Sequence, residues 1–279
     1  MERIAEHDRI RRERFDKFYA EHHKKQERSQ FTHLDIPTGQ MKDNAGMKYG
    51  IYASYFENTL AGEHHKAYIY QALVKAFRKS VRKNTNAVLY IEKSDESRIN
   101  RKLRDWFANN ELKARMWAEY AQRMTRPTVF MDCDIIVLDD LVNGFQSSGI
   151  TITRRPDKSW FNSGAIWAMP TPEVKAMFAR WHEEVEYLYK NESELKRSSR
   201  HHVGLHQTSF IRLLERDQIG CEVKVIDGNV WNSTRSCWSN FGPHTKVLHA
   251  TKVLRQQVFL EAEPQRFIEA ANCIKEWVK

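Results

Sequence analysis

The sequence predicts an α/β fold in which helices flank a mixed, mostly parallel sheet. Short β-prone apolar runs alternate with longer amphipathic stretches along the chain, and this alternation is typical of a sheet covered by helices on both faces. The chain has 279 residues, which is enough to bury a sizeable core. No apolar run approaches the roughly 20 residues that a membrane-spanning helix needs, so we expect no transmembrane segment.

The first 30 residues predict a helix, because hydrophobic residues recur among mixed charges without Gly or Pro. A turn-rich link follows, so we predict a helical extension with its linker at 1–45 and the main domain at 46–279. The extension is expected to pack on that domain or on a second copy of the chain, forming a homodimer. Its charged N-terminus lacks the apolar stretch of a signal peptide, and a cytoplasmic location is expected.

The main domain shows regular alternation of the two element types. Helix 171–190 has the clearest beginning, because Thr171 can cap it, Pro172 suits its first turn and Glu173 complements its dipole. Strands are predicted at 49–56, 87–93, 127–138, 149–153, 160–169, 221–227 and 245–251. Helices are predicted at 67–81, 97–110, 112–124, 171–190, 206–216 and 264–279.

The positive charge of the chain is concentrated in one segment. The net charge is +9, and residues 66–126 hold 15 Lys and Arg against 6 Asp and Glu, so the rest of the chain is neutral. A localised basic segment indicates a polyanionic partner, whereas solvated helix faces that happen to be basic are the alternative.

The stretch "TRPTVFMDCDIIVLDDL" at 125–141 places two aspartates at the end of an apolar run. Ligands bind at the carboxyl ends of strands in open α/β sheets, and side chains two residues apart in an extended segment point the same way. Asp132 and Asp134 would therefore repel each other unless a cation lies between them. Their oxygen ligands suit Mg²⁺ or Mn²⁺, which commonly also bind substrate phosphates. Asp139 and Asp140 are expected to form a capping turn.

These residues resemble the metal-binding DxD strand of GT-A fold glycosyltransferases, the glycogenin-like nucleotide-diphospho-sugar transferase superfamily. "WFNSGAIWAM" is similar to the FN(S/A)G strand of that family, "HQTSFIRLL" to a helix that usually opens with Asp-Gln, and "KVLHATK" to a late strand that carries a metal-binding histidine. "NVWN" resembles a Leu-Pro-x-x-(W/F)-N segment of the same family. The order of these motifs agrees with the family from about residue 49 to residue 255. The resemblance implies a Rossmann-like GT-A fold.

The resemblance also implies roles for individual residues. Asp132, Asp134 and His249 would bind the metal, Mn²⁺ or Mg²⁺, and Gln207 would lie near the anomeric carbon as a catalytic residue. His206 stands where the family has Asp. The remaining implied contacts are with the donor: Tyr52 and Ser54 with the nucleotide base, Asn162, Ser163 and Gly164 with the sugar, and Arg123 and Lys252 with the sugar or diphosphate.

The sequence thus predicts a metal-dependent glycosyltransferase, of hexosyl or pentosyl type. The donor would be a nucleoside diphosphate sugar such as a UDP-sugar, and relatives suggest transfer with retention. The basic segment indicates a polyanionic acceptor, either a modified base in DNA or an anionic glycan such as lipopolysaccharide. Two alternatives remain open: a non-catalytic nucleic-acid-binding protein, and a phosphohydrolase that uses the DxD.

Overall fold

The structure, a computed structural model, describes residues 43–55, 64–94, 106–155, 161–191, 193–195, 204–250 and 268–278. The predicted N-terminal helix, and the homodimer contact expected through it, lie outside the described residues.

A six-stranded sheet forms the centre, in the order β2-β1-β3-β6-β5-β7. Five strands share one direction and β6 opposes both of its neighbours, so the predicted mixed, mostly parallel sheet is confirmed. β6 is reversed because only six residues separate it from β5, too few for a parallel crossover. The strands are β1 (Gly50–Tyr55), β2 (Val88–Lys93), β3 (Thr128–Met131), β5 (Ile150–Arg154), β6 (Phe161–Ala168) and β7 (Val223–Asp227).

Helices cover both faces of this sheet. They are α1 (His64–Asn84), α2 (Trp106–Arg123), α3 (Pro172–Lys190), α4 (Leu205–Glu215), the single turn α5 (Gly228–Trp231) and α6 (Ile268–Val278). Successive strand residues point to opposite faces. Ile51 therefore lies in the core cluster that includes Phe77 of α1, whereas Tyr52 stacks on Tyr120 of α2 with ring centroids 4.0 Å apart. No helix within the described ranges is long and apolar enough to span a membrane.

The predicted strand 127–138 is wrong as one element. It divides into β3 and a second strand, β4 (Ile135–Val137), which pairs antiparallel with β8 (Val247–His249) in a separate two-stranded sheet. The division falls at Asp132 and Asp134, whose partly exposed carboxylates lie just beyond the end of β3. The predicted break between helices 97–110 and 112–124 is also wrong, since α2 runs without interruption across it.

Candidate metal centre and donor site

The structure brings Asp132, Asp134 and His249 together, as the sequence predicted. The Nε2 atom of His249 lies 3.1 Å from Oδ1 of Asp134 and 3.7 Å from Oδ2 of Asp132. One ligand atom from each of the three residues lies within 4.8 Å of the others. The two carboxylates are partly exposed, at 27% and 15%, whereas His249 is 1% exposed. The cluster is therefore open to a ligand on its carboxylate side only.

The backbone holds these residues in place from three separate segments. The amide of Asp132 donates to the carbonyl of Gly164 on β6 at 2.9 Å, which fixes the chain as it leaves β3. The amide of Ala250 donates to the carbonyl of Asp134 at 2.8 Å, and Ile135 is the register partner of His249. The pairing of β4 with β8 therefore sets the separation between the DxD and the histidine.

The donor set fits a divalent cation such as Mn²⁺ or Mg²⁺. Two carboxylates and one imidazole are ligands that Mn²⁺ accepts readily. Cys133, between the aspartates, is directed elsewhere and packs against Tyr55 and Val74. Burial, followed by the two neighbouring carboxylates, raises the pKa of its thiol, so Cys133 stays protonated and is a poor ligand.

The imidazole of His249 is held rigidly from behind. Its Nδ1 lies 3.0 Å from Oδ1 of Asn232, which is completely buried. A Cβ atom on Gly164 would lie 2.3 Å from Cε1 of the ring, so only glycine leaves room for the imidazole at that position. The close approach that Gly164 permits is therefore that of His249.

Lys113 is a site residue that the sequence reasoning missed. Its Nζ contacts Oδ1 of Asp132, and its side chain is only 12% exposed. The ammonium also lies 4.3 Å from the ring centroid of Trp117, one helical turn further along α2. The spacing of Lys113 and Trp117 on one helix face is the available signal, but in the sequence Lys113 is one of the 15 cations of the basic segment.

His206 lies near this lysine and packs against two tryptophans. Its ring stacks on Trp181 at 4.1 Å and meets Trp117 edge-on at 5.2 Å. Neither ring nitrogen has a hydrogen-bond partner among the described residues. Burial, and then the charge of Lys113, hold the pKa of His206 well below its usual range. The imidazole is therefore neutral at physiological pH.

Gln207 follows His206 in the first turn of α4 and is half-buried. His206 contacts the ring of Trp117, Lys113 lies over that ring, and Lys113 pairs with Asp132. These contacts connect the first turn of α4 to the DxD. The catalytic role of Gln207 stays a prediction.

The three predicted sugar contacts lie on β6, all buried. The Oδ1 atom of Asn162 accepts from the amide of Gly164 at 2.7 Å and from Nδ2 of Asn232 at 2.9 Å, which ties this side chain to the support of His249. Ser163 is 5% exposed. For Asn162, Ser163 and Gly164, contact with the sugar stays a prediction.

The predicted contacts with the nucleotide base lie on β1. Tyr52 is 1% exposed, with one ring face on Tyr120 and its hydroxyl donating to Glu92 at 2.9 Å. The hydroxyls of Ser54 and of Ser94, which follows β2, are buried without partners among the described residues. Such hydroxyls commonly bind a ligand or water. The base contacts of Tyr52 and Ser54 stay predictions.

The two predicted cationic contacts differ in position. Arg123 is 62% exposed and donates to Glu92 at 2.8 Å, whereas Lys113 contacts the DxD at Asp132. Lys252 lies outside the described residues. Both roles stay predictions.

The expected capping turn at Asp139 and Asp140 is confirmed. Oδ1 of Asp140 accepts from the amide of Val142 at 2.8 Å, at the start of a short 3₁₀ helix. Asp139 forms an ion pair with Lys246, and this hydrogen bond lowers the pKa of Asp139. These carboxylates are therefore occupied outside the metal cluster.

No protein-family model matches the chain, and no curated protein sequence matches it. Among solved structures, a glycosyltransferase involved in the glycosylation of the major capsid of PBCV-1 superposes with a TM-score of 0.53. Its identity is 11%, and the match covers 82% of this chain and 99% of that one.

Two further glycosyltransferases superpose less well. Mouse xyloside xylosyltransferase 1 has a TM-score of 0.44 at 12% identity, over 74% of this chain and 98% of that one. GlyE of Streptococcus pneumoniae TIGR4 has a TM-score of 0.41 at 14% identity, over 66% of this chain and 46% of that one. Of these three superpositions, the one on the PBCV-1 capsid glycosyltransferase has a TM-score above 0.5. With the strand order and the DxD at the end of β3, that superposition identifies the fold of this chain as a GT-A-like glycosyltransferase fold.

Proposed function

We propose that this protein is a metal-dependent glycosyltransferase that moves a sugar from a nucleoside diphosphate sugar to a polyanionic acceptor. One observation carries the proposal. Asp132 and Asp134 converge with His249, which lies 115 residues after Asp134 in the sequence, at the edge of a GT-A-like sheet where the central strands end. Ligands bind at this edge in open α/β sheets.

The chemistry of the centre is electrostatic. A divalent cation bound there, Mn²⁺ or Mg²⁺, would stabilise the negative charge that develops on the departing diphosphate. Asp132, Asp134 and His249 would hold it. Lys113, at the rim of the cluster, adds a positive charge that favours a diphosphate near Asp132. Lys252 and Arg123 are proposed to add to this stabilisation.

The donor is proposed to be a UDP-sugar, and the transferred group a hexose or a pentose. Asn162, Ser163 and Gly164 would contact the sugar, while Tyr52 and Ser54 would contact the base. Gln207 would lie near the anomeric carbon, and transfer would proceed with retention. Holding donor and acceptor in a reactive geometry supplies much of the rate acceleration in such a reaction.

The acceptor is proposed to bind through the basic surface of α1. This surface, called here the α1 stripe, consists of five exposed cations on one helix face: Lys75, Arg78, Lys79, Arg82 and Lys83. The spacing i, i+3, i+4, i+7, i+8 places them in one row of about 12 Å. None of the five forms an ion pair with a described residue, and α1 contains no Asp or Glu.

The α1 stripe differs in this respect from the other cations of the basic segment. Lys113 binds Asp132 and Arg123 binds Glu92 on the opposite face of the sheet. Lys79 and Lys83 instead lie over the ring of Trp277, at 5.6 and 5.4 Å from its centroid. A row of cations that has no ion-pair partner among the described residues suits successive phosphates, as in DNA or lipopolysaccharide.

The alternatives explain less of this arrangement. A non-catalytic nucleic-acid-binding protein would need the α1 stripe alone, and a buried histidine directed at two carboxylates would have no role. A DxD phosphohydrolase would use Asp132 and Asp134 but not His249. The transferase accounts for the cluster and the stripe together.

The test is release of UDP from UDP-sugars in the presence of Mn²⁺ and without added acceptor, since glycosyltransferases hydrolyse their donors slowly. Asp132→Asn and Asp134→Asn should each lower this release by about 100-fold or more, because each replaces a charged ligand with a neutral side chain of nearly the same shape. Asp139→Asn is the matched control, since it removes a carboxylate seven residues from Asp132 that is paired with Lys246. Full turnover by either DxD variant would refute the proposal.

A further inference from the structure

Asn232 is a buried side chain at which several polar groups meet. It is 0% exposed and follows the one-turn helix α5. Its Nδ2 lies 2.9 Å from Oδ1 of Asn162 and 3.1 Å from Oγ1 of Thr153, and its Oδ1 lies 3.0 Å from Nδ1 of His249. Asn232 therefore connects β5 and β6 of the central sheet with the histidine of β8.

The direction of these hydrogen bonds follows from one backbone amide. The N–H of Gly164 can only donate, and it lies 2.7 Å from the side-chain oxygen of Asn162. That atom must therefore be the oxygen and not the nitrogen of the Asn162 amide. The group of Asn232 that meets the same oxygen must then be its NH₂. It follows that the oxygen of Asn232 is the atom that meets His249.

An oxygen next to Nδ1 of His249 requires that Nδ1 carry the proton. In the neutral ring, Nε2 then has a lone pair. This lone pair is directed at the carboxylates, 3.1 Å from Asp134 and 3.7 Å from Asp132. A lone pair facing carboxylate oxygens is repulsive unless a cation lies between them.

We propose that Asn232 is a positioning residue for the metal centre. The series of hydrogen bonds from Gly164 through Asn162 and Asn232 to His249 selects the tautomer of His249 that can bind a metal through Nε2. The fold thereby sets the donor atom before any metal arrives. This inference rests on the proposed function, because it gives Asn232 a purpose only if the cluster binds a metal.

The experiment has two readouts, neither of which is catalysis. Long-range ¹H–¹⁵N spectra of metal-free protein at pH 8 report which nitrogen of each neutral histidine carries the proton, and His249→Gln identifies the signals of His249. Titration with Mn²⁺ alone, followed by calorimetry, gives the metal affinity. We expect the proton of His249 on Nδ1, and we expect Asn232→Ala to produce a mixture of tautomers and a 10- to 100-fold weaker affinity for Mn²⁺.

Thr153→Val is the matched control. It removes another hydrogen bond of Asn232 while leaving the contact with Asn162 in place, so tautomer and affinity should both stay within twofold of the parent protein. If Asn232→Ala does not fold, Asn162→Ala tests the same series one residue further from the ring, and it should also weaken Mn²⁺ binding. A folded Asn232→Ala protein with parental affinity, or a parent whose His249 carries its proton on Nε2, would overturn the inference.

The two proposals fail differently. If the parent protein binds no Mn²⁺, the proposed function loses its metal, whereas the spectra of metal-free protein still decide which tautomer Asn232 selects. If the parent binds Mn²⁺ and Asn232→Ala binds it equally well, the proposed function stands and the role of Asn232 is refuted.

Discussion

Gly164 shows how the absence of a side chain can make room for His249 in the candidate metal centre. Its Cα faces the ring of His249 so closely that an added Cβ would lie 2.3 Å from Cε1 and 2.6 Å from Nδ1. We predict that Gly164→Ala displaces the imidazole, lowers stability by about 1–3 kcal/mol and weakens Mn²⁺ binding by about tenfold or more. Urea unfolding and calorimetry measure the two effects.

Gly50→Ala provides the comparison for that substitution. Gly50 is also a strand residue of the central sheet, but a Cβ there would have its nearest neighbour at 3.4 Å, an ordinary contact. We expect Gly50→Ala to leave Mn²⁺ binding unchanged. Equal losses of affinity in the two variants would show that His249 is not displaced specifically.

His206 makes a prediction about pH. Burial, and secondarily the charge of Lys113, depress the pKa of His206 in the folded protein, whereas in the unfolded chain it titrates near 6.5. Below about pH 6.5 the unfolded state therefore binds a proton that the folded state does not, and stability falls as the pH falls. The expected slope is about 1.4 kcal/mol per pH unit.

We predict that His206→Phe removes this part of the pH dependence. An aromatic ring can keep the stacking on Trp181 without a titratable group. Urea unfolding at pH 7 and at pH 5 measures the unfolding free energy of both proteins. Between these two pH values, the parent should lose about 2 kcal/mol more unfolding free energy than the variant. If both proteins lose the same stability over that interval, His206 is protonated in the folded state.

The proximity of Asp132 and Asp134 could be predicted from the sequence, but the residues that support the candidate metal centre could not. Asp132 and Asp134 follow an apolar run, and alternation along a strand places them together. Lys113 is read as one more cation of a basic segment, because nothing local distinguishes a lysine that folds back onto Trp117. Asn232 acquires its role only when α5 meets β6 and β8, contacts that no sequence period encodes.

At the scale of elements, the α1 stripe predicts a salt-dependent interaction. Each phosphate contact of a cation adds about 0.9 to the slope of log K against log salt concentration for duplex DNA. We predict that Arg78→Gln with Arg82→Gln lowers this slope by about 2 and weakens binding to duplex DNA, measured by fluorescence anisotropy. Lys190→Gln with Arg216→Gln, two exposed cations paired with Glu186 and Glu184, is the control of equal charge.

The acceptor classes separate in the same experiment. One result would assign the α1 stripe to an anionic glycan: the parent binds lipopolysaccharide micelles but not duplex DNA, and the Arg78 and Arg82 variant does not bind the micelles. Equal binding by the stripe variant and the Lys190 and Arg216 control would show that net charge alone acts, and the proposed acceptor surface would be refuted.

The elements also show which boundaries local residues are sufficient to predict. α3 begins after Thr171 as predicted, with the Thr171 hydroxyl accepting from Val174 at 3.3 Å, because capping is decided by neighbouring residues. The sequence predicts a continuous strand at 127–138, because its apolar residues resume after the aspartates. Its second half instead pairs with β8, more than 100 residues away, and such a partner is not visible in the local pattern.

At the scale of the whole molecule, metal and donor binding should be coupled to each other and to stability. The proposed ligands of the metal come from segments that are 115 residues apart at Asp134 and His249, so the unfolded chain has no formed site and a bound cation would stabilise only the folded state. Lys113, a described cation in contact with the DxD, is itself paired with Asp132, so a diphosphate needs the positive charge of the metal. Donor affinity should therefore depend on the metal.

We predict that a UDP-sugar raises the melting temperature only when Mn²⁺ is present. A ligand at 100 times its Kd adds about 2.7 kcal/mol to stability, which for a domain of this size corresponds to about 5–10 °C.

EDTA should abolish the shift, Asp134→Asn should not show it, and Asp139→Asn should retain it. UDP alone should give most of the effect, because the diphosphate is the group that meets the metal. A UDP-sugar shift of the same size in EDTA, or in Asp134→Asn, would mean that the donor binds elsewhere on the protein or without the cation, and the metal-dependent mechanism would have to be abandoned.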